Sequence, residues 1–213
     1  MKKPVLSYFH AEAVNSLTHA LGILFGCFFI PSLIAFSLDK QTLIEAIGVS
    51  VYGVCYVTTF TFSTLYHAAT GSRIKRRFEL LDHISIYFLI AATYTAFIVN
   101  YMLNSQGFIL LSIVWGLVMA GMFFEWFYLN RYLIISVASY VFMGLLFVFV
   151  SRTFFANIPS DVVLLIYGGI ALYLLGLIFF LWRQLRHHHA VWHLFVLAGS
   201  ICHFEAIWLS VIR

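Results

Sequence analysis

Long apolar runs broken by short polar punctuation set the rhythm of this chain. A membrane-crossing helix needs about 20 consecutive, mostly apolar residues, and the pattern supplies seven such runs. It predicts helices over about 16–38, 43–69, 80–103, 108–129, 132–150, 162–182 and 189–212. Between them lie Asp39-Lys40, GSRIKRRFE, NSQG, Asn130-Arg131, SRTFFANIPSD and RQLRHHH. No internal repeat, low-complexity tract or linker interrupts the series. The expected fold class is therefore all-α: an integral membrane bundle of seven transmembrane helices, forming a single domain over 1–213.

Composition agrees with that pattern. The chain has 213 residues, 63% hydrophobic and only 9% charged, against about 25% charged in a soluble domain. So few charges cannot coat a water-facing surface of this size, so most of the surface must face lipid. Cys27, Cys55 and Cys202 all fall inside predicted helices and suggest neither a disulfide framework nor a CxxC metal site. MKKPVLSYFH leads into the polar stretch EAVNSLTH, which is not the pattern of a cleavable signal peptide.

Lys and Arg in short loops set orientation. Lys2, Lys3, Arg73, Lys75, Arg76, Arg77, Arg131, Arg183 and Arg186 fall on one side of the predicted bundle, and only Lys40, Arg152 and Arg213 on the other. The amino terminus is expected in the cytoplasm and the carboxyl terminus outside. The net charge of +4 then follows from topology and calls for no nucleic-acid partner.

With that topology, ionisable residues scattered along the sequence gather in one cytoplasm-side layer. Glu12 and His19 enter helix 1, His67 closes helix 2, Asp82 and His83 open helix 3, and His189 and His193 open helix 7. His189 and His193 are four apart and project from one helix face, a spacing that lets two imidazoles reach one metal ion. Ser63 and His67 repeat it, and Glu12, Asn15 and His19 form a polar stripe at i, i+3 and i+7. Three histidines from two helices, with a further position open, suit a catalytic zinc better than a closed structural one. The same ligands also suit copper, nickel or iron. A plainer reading has helix-end histidines at headgroup level, Asp82 as a charge favoured by the helix dipole, and Glu12, Asn15 and Ser63 as packing hydrogen bonders. His203, ten residues past His193, lies about 15 Å deeper, too far for the same ion, and reads as a buried hydrogen-bonding group.

Glu12-x-x-Asn15-x-x-x-His19, Ser63-x-x-x-His67, Asp82, His189-x-x-x-His193 and His203-Phe204 occur in that order. The ordered set resembles the hemolysin III family of bacterial membrane proteins, within the progestin and adipoQ receptor superfamily. That resemblance implies one zinc ion per chain on His67, His189 and His193, with Asp82 contacting the water at the metal and Ser63 nearby. It further implies a multi-pass protein of the bacterial cytoplasmic (inner) membrane, with a membrane lipid as substrate or ligand. In the receptor branch it is tied to hydrolysis of ceramide-like lipid amides, and more widely to membrane-lipid homeostasis. The chain departs from that branch in lacking a long amino-terminal domain and in carrying His83 where tyrosine is common.

The expected function is a zinc-dependent intramembrane hydrolase of a lipid amide or ester. Its catalytic groups would be Asp82 and Ser63, with Glu12, Asn15, His19 and His203 as supporting residues. The alternative is a non-catalytic, zinc-stabilised membrane sensor or regulator. A pore-forming cytolysin is disfavoured, because a polytopic chain with this charge bias looks like a resident of the cell's own membrane.

Overall fold

A computed structural model of the chain describes residues 5–150 and 154–213. Lys2, Lys3 and Arg152, which entered the charge comparison, lie outside them. The described residues form helices and turns, with no strand among them. The helices are α1 (Val5–Lys40), α2 (Leu43–Ala68), α3 (Ser72–Tyr101), α4 (Ser105–Tyr128), α5 (Leu133–Gly144), α6 (Ser160–Leu181) and α7 (His188–Ile212). All but α5 are long and apolar enough to cross a membrane. Local chemistry sets several ends. Thr42 and Glu45 form a capping box at α2, and the Asn104 side chain accepts from the Gly107 N–H at α4 (3.1 Å), satisfying donors that a helix start leaves unpaired.

Three boundaries differ from the sequence pattern. α1 starts at Val5 rather than near residue 16, and α3 starts at Ser72 rather than near residue 80. The segment SRIKRR was expected as a loop because of its charge, but Arg and Lys are good helix formers. Asp82 and His83 therefore stand in the third turn of α3. A helix-dipole role for Asp82 falls away with the corrected start, because that effect fades within the first turn.

The third difference is α5. An unbroken helix over 132–150 is expected, yet the α-helix ends at Gly144 and continues as a 3₁₀ segment, Leu146–Val150. The cause is tertiary. The Tyr94 hydroxyl, from α3, donates to the Gly144 carbonyl (3.2 Å) and accepts from the Phe147 N–H (3.0 Å). A side chain inserted into the i→i−4 ladder in this way redirects a helix, and it satisfies one carbonyl and one N–H that the break sets free in an apolar setting.

The helices pack α1 on α2, α2 on α3, α3 on α4, and α7 between α6 and α1, while α5 meets α3 and α4 but has no extensive contact with α6. The core is strongly aromatic: Tyr52, Tyr56, Phe60 and Tyr87 are buried, and Phe25 of α1 meets Phe204 of α7 edge-on. Close approach depends on glycine at two crossings. A Cβ on Gly121 would strike the Tyr87 ring, and one on Gly169 would strike the His203 ring. Small residues let membrane helices come this near. At one end of the bundle, Gln41 joins Ser37 to Asn100, and Arg213 pairs with Asp161. His67, His189 and His193 lie at the opposite end.

Candidate metal centre

α2 ends at Ala68 and α7 begins at His188, so the last turn of one helix faces the first turns of the other. The turn before α7 places His187 in the left-handed region (φ 59°), and its carbonyl accepts from the Val191 N–H (3.1 Å). The following helix presents His189 and His193 on one face, ring centroids 4.5 Å apart. His67 comes from across the bundle, its ring 5.1 Å from His189 and 4.9 Å from His193. One nitrogen of each lies within 4.8 Å of the others. Nitrogens sharing one zinc are at most about 4.2 Å apart, twice the ~2.1 Å bond, so a small side-chain rotation closes the set.

The remaining nitrogens of two of these rings are tied down. His67 Nδ1 lies 3.3 Å from Glu12 Oε2, and the same oxygen accepts from Lys75 Nζ (2.5 Å), which also donates to the Tyr66 carbonyl (3.1 Å). His193 Nδ1 lies 3.1 Å from the Asn15 carbonyl and 3.2 Å from Thr18 Oγ1. The Thr18 hydroxyl donates its own proton to Asn15 (2.7 Å), so it must accept from His193. Both Nδ1 atoms are thus donors, which leaves each Nε2 as a lone-pair acceptor. His67 Nε2 is buried with no hydrogen-bond partner among the described residues. A ligating histidine usually looks like this, one nitrogen held by an oxygen and the other free for a cation, so these residues fit a metal ion.

Glu12→Gln should weaken metal binding about 10–100-fold, the usual cost of losing an outer partner of a ligand. Gln keeps the shape of Glu12 but loses the charge that holds both His67 and Lys75. Competition against a colorimetric metal indicator measures the change.

The other expected site residues divide. His19 stacks on His193 with centroids 3.7 Å apart, and both of its nitrogens are buried without partners among the described residues. Asn15 contributes its carbonyl oxygen rather than its amide. Asp82 and Ser63 lie side by side and line one end of a cavity of about 230 Å³, together with His189 and His193. His203 stands apart from the triad. It lines the far part of the same cavity, with Nε2 3.3 Å from the Ile166 carbonyl. Between these ends the walls are chiefly apolar, supplied by α3, α5, α6 and α7, and extend about 20 Å along α7 at 1.5 Å per residue.

The family model described as haemolysin-III related matches residues 7–204, from the start of α1 into α7. The chain belongs to the haemolysin-III-related family. Relatives include the hemolysin-3 homolog of Bacillus subtilis (strain 168), 34% identical over 95% of each chain. Hemolysin-3 of Bacillus cereus is 35% identical, over 94% of this chain and 92% of its own. The human monocyte to macrophage differentiation factor, 26% identical over 96% of this chain and 86% of its own, ties this haemolysin-III protein to the progestin and adipoQ receptor superfamily.

Three polar residues of this haemolysin-III protein were not singled out from sequence: Thr18 and Lys75 join the network of the metal centre, while Glu125 lies 3.2 Å from His83 Nδ1 and 3.2 Å from the Tyr140 hydroxyl. Thr18 is an unremarkable hydroxyl in an apolar helix. Lys75 looked like one more cation of a basic loop. Glu125 carried a visible signal, a lone carboxylate within GMFFEWFY, since acids inside membrane helices are functional suspects by default.

Proposed function

We propose that this multi-pass haemolysin-III protein is a zinc-dependent intramembrane hydrolase of a lipid amide or ester in the bacterial inner membrane, serving membrane-lipid homeostasis. The observation that carries the reading is a set of three converging imidazoles, two of which (His189 and His193) meet Asp82 and Ser63 at one end of a long, largely apolar cavity. An acyl chain can lie along the cavity with its carbonyl at the polar end. Zinc held by His67, His189 and His193 would supply a Lewis acid and lower the pKa of water at the site to about 7. Asp82 takes the proton released as water attacks the carbonyl carbon. As Asp82 takes that proton it no longer needs the Ser63 hydroxyl beside it, which is then free to donate to the oxygen on which charge develops. Glu12 and the Asn15 carbonyl hold the ligand rings in orientation, and the apolar walls keep bulk water away from the reacting carbonyl.

Seven crossings, with the amino terminus in the cytoplasm, complete the reading. α5 contributes about 18 Å at 1.5 Å per residue and the 3₁₀ segment about 10 Å at 2.0 Å per residue, together close to the ~30 Å hydrocarbon core. The polar end then lies just inside the cytoplasmic leaflet, at the depth where an acyl–headgroup linkage sits. The test is turnover of a fluorescent N-acyl lipid amide and its ester analogue by purified protein. A chelator should abolish release of the fatty acid and added zinc should restore it. Chelator-insensitive turnover, or none of either lipid, refutes the reading.

One observation favours a second reading. α2 and α7 have no extensive contact of their own, so an ion shared by His67, His189 and His193 would tie two helices that otherwise touch little. A regulator held together by such a tie needs the metal but not Asp82.

A further inference from the structure

Far from the metal centre, the deep part of the cavity is apolar except for a few side chains, and most of these are occupied with one another or with backbone. Thr93 Oγ1 donates to the Leu89 carbonyl (2.8 Å), Tyr94 bridges Gly144 and Phe147, and the Tyr173 hydroxyl meets Ser200 Oγ (2.7 Å). His203 differs. Its Nε2 lies 3.3 Å from the Ile166 carbonyl of α6, and a carbonyl only accepts, so Nε2 carries the proton. The Cδ2–Nε2 edge of the ring is pressed on Gly169, and the Tyr173 ring meets it edge-on with centroids 5.5 Å apart. Nδ1 belongs to the other edge. It is neither hydrogen-bonded among the described residues nor sealed off by packing.

The bond to Ile166 is a weak reason for a histidine here, because that carbonyl sits within α6, where the helix ladder already engages it. An aliphatic side chain would pack at this crossing without carrying a polar ring into the membrane, which is costly. The ring also lacks a counter-charge. Asp82 is the acid of the cavity lining and stands at the other end, while Glu205, two positions on, projects from another side of α7 and is exposed. A lone imidazolium at this depth costs far more than a neutral ring. Nδ1 is therefore a lone pair on the wall of a space shaped for an acyl chain, and an unsubstituted chain leaves it desolvated and unpaired.

Depth fixes where the missing partner belongs. His203 is about 15 Å beyond His193 along α7. An extended chain advances about 1.2 Å per bond, since three backbone bonds span about 3.3–3.6 Å. We propose that the deep end of the cavity is a subsite for a hydroxyl borne on the acyl chain about twelve carbons from the scissile carbonyl, donating to His203 Nδ1. The assignment rests on the lipid-hydrolase reading for the place of that carbonyl, and it names the chains the site selects: those hydroxylated near mid-chain. His203 is a recognition residue and takes no part in bond breaking.

The test uses full-length protein in nanodiscs and four lipid amides that share one fluorescent headgroup. Their octadecanoyl chains are unsubstituted, 2-hydroxy, 12-hydroxy or 12-oxo. Affinity and fatty-acid release are read on the same samples, with empty nanodiscs correcting for partition. Wild type should bind the 12-hydroxy chain about 3–10-fold more tightly than the unsubstituted one, the worth of one net hydrogen bond. The 12-oxo chain only accepts and should gain nothing. His203→Asn sets its amide oxygen near the place of Nδ1 and should keep most of the preference. His203→Gln reaches the Ile166 carbonyl but withdraws the acceptor, and should lose the preference while binding the unsubstituted chain as before. The 2-hydroxy chain should be indifferent to both substitutions. Equal binding of the 12-hydroxy and unsubstituted chains by wild type, binding of none of the four, an equal gain from the 12-oxo chain, or a preference that survives His203→Gln overturns the assignment. The expected preference without release of fatty acid upholds the subsite and refutes the hydrolase. Release that ignores the 12-position does the reverse.

Discussion

Purified wild-type protein should carry about one zinc per chain, and the His189→Ala/His193→Ala double variant should carry less than a tenth of that. The expectation follows from the division of ligands between helices. α7 supplies two of the three converging imidazoles and α2 supplies one. Removing both leaves His67 with only the Glu12 contact at its other nitrogen, and one imidazole cannot retain a metal through purification. Elemental analysis by mass spectrometry reads the stoichiometry, with thermal unfolding in detergent as a check that the variant is folded. A wild type free of metal after chelator-free preparation defeats both the hydrolase and the metal-tie readings.

Asp82→Ala should keep the zinc and lose activity. Asp82 lines the cavity but is not among the converging ligands, so metal content should stay near one per chain. Turnover of the lipid amide should fall about 10²–10⁴-fold, the range for removing a positioned proton acceptor, with KM changed only a few-fold. Asp82→Asn, which preserves shape, should fall almost as far. Full activity in either variant excludes Asp82 from the chemistry. Retained metal together with an unchanged cellular phenotype favours the regulator.

Much of this arrangement was legible because lipid imposes simple rules. Runs of apolar residues must be helices, since no other open structure satisfies the backbone there, and the His189–His193 spacing fixes both rings on one face. What escaped depended on partners distant in sequence. Nothing in the residues around Gly144 says that a tyrosine fifty positions earlier will divide α5. Asn15 was chosen for its side chain, but its carbonyl holds His193, and backbone atoms leave no mark on a residue pattern. The early start of α3 was hidden by charge, because SRIKRR reads as loop until Lys75 is seen to grip Glu12. Glu125 shows the opposite failure: its signal was plain, but its meaning needed the positions of His83 and Tyr140.

The split of the imidazoles between α2 and α7 also bears on how the chain is assembled. Glu12, His67 and Lys75 all belong to α1–α3, and His67 and Lys75 flank a short turn. This part of the centre can take shape soon after α3 is made. At synthesis rates of roughly 5–20 residues per second, the 122 positions from His67 to His189 delay the remaining imidazoles by about ten seconds. Until α7 is made and docks between α6 and α1, the chain offers one of the three converging imidazoles and the set cannot close on an ion. Metal capture would therefore be a timestamp: it would mark the moment when α7 has reached α2, and a nascent chain halted before α7 should stay metal-free.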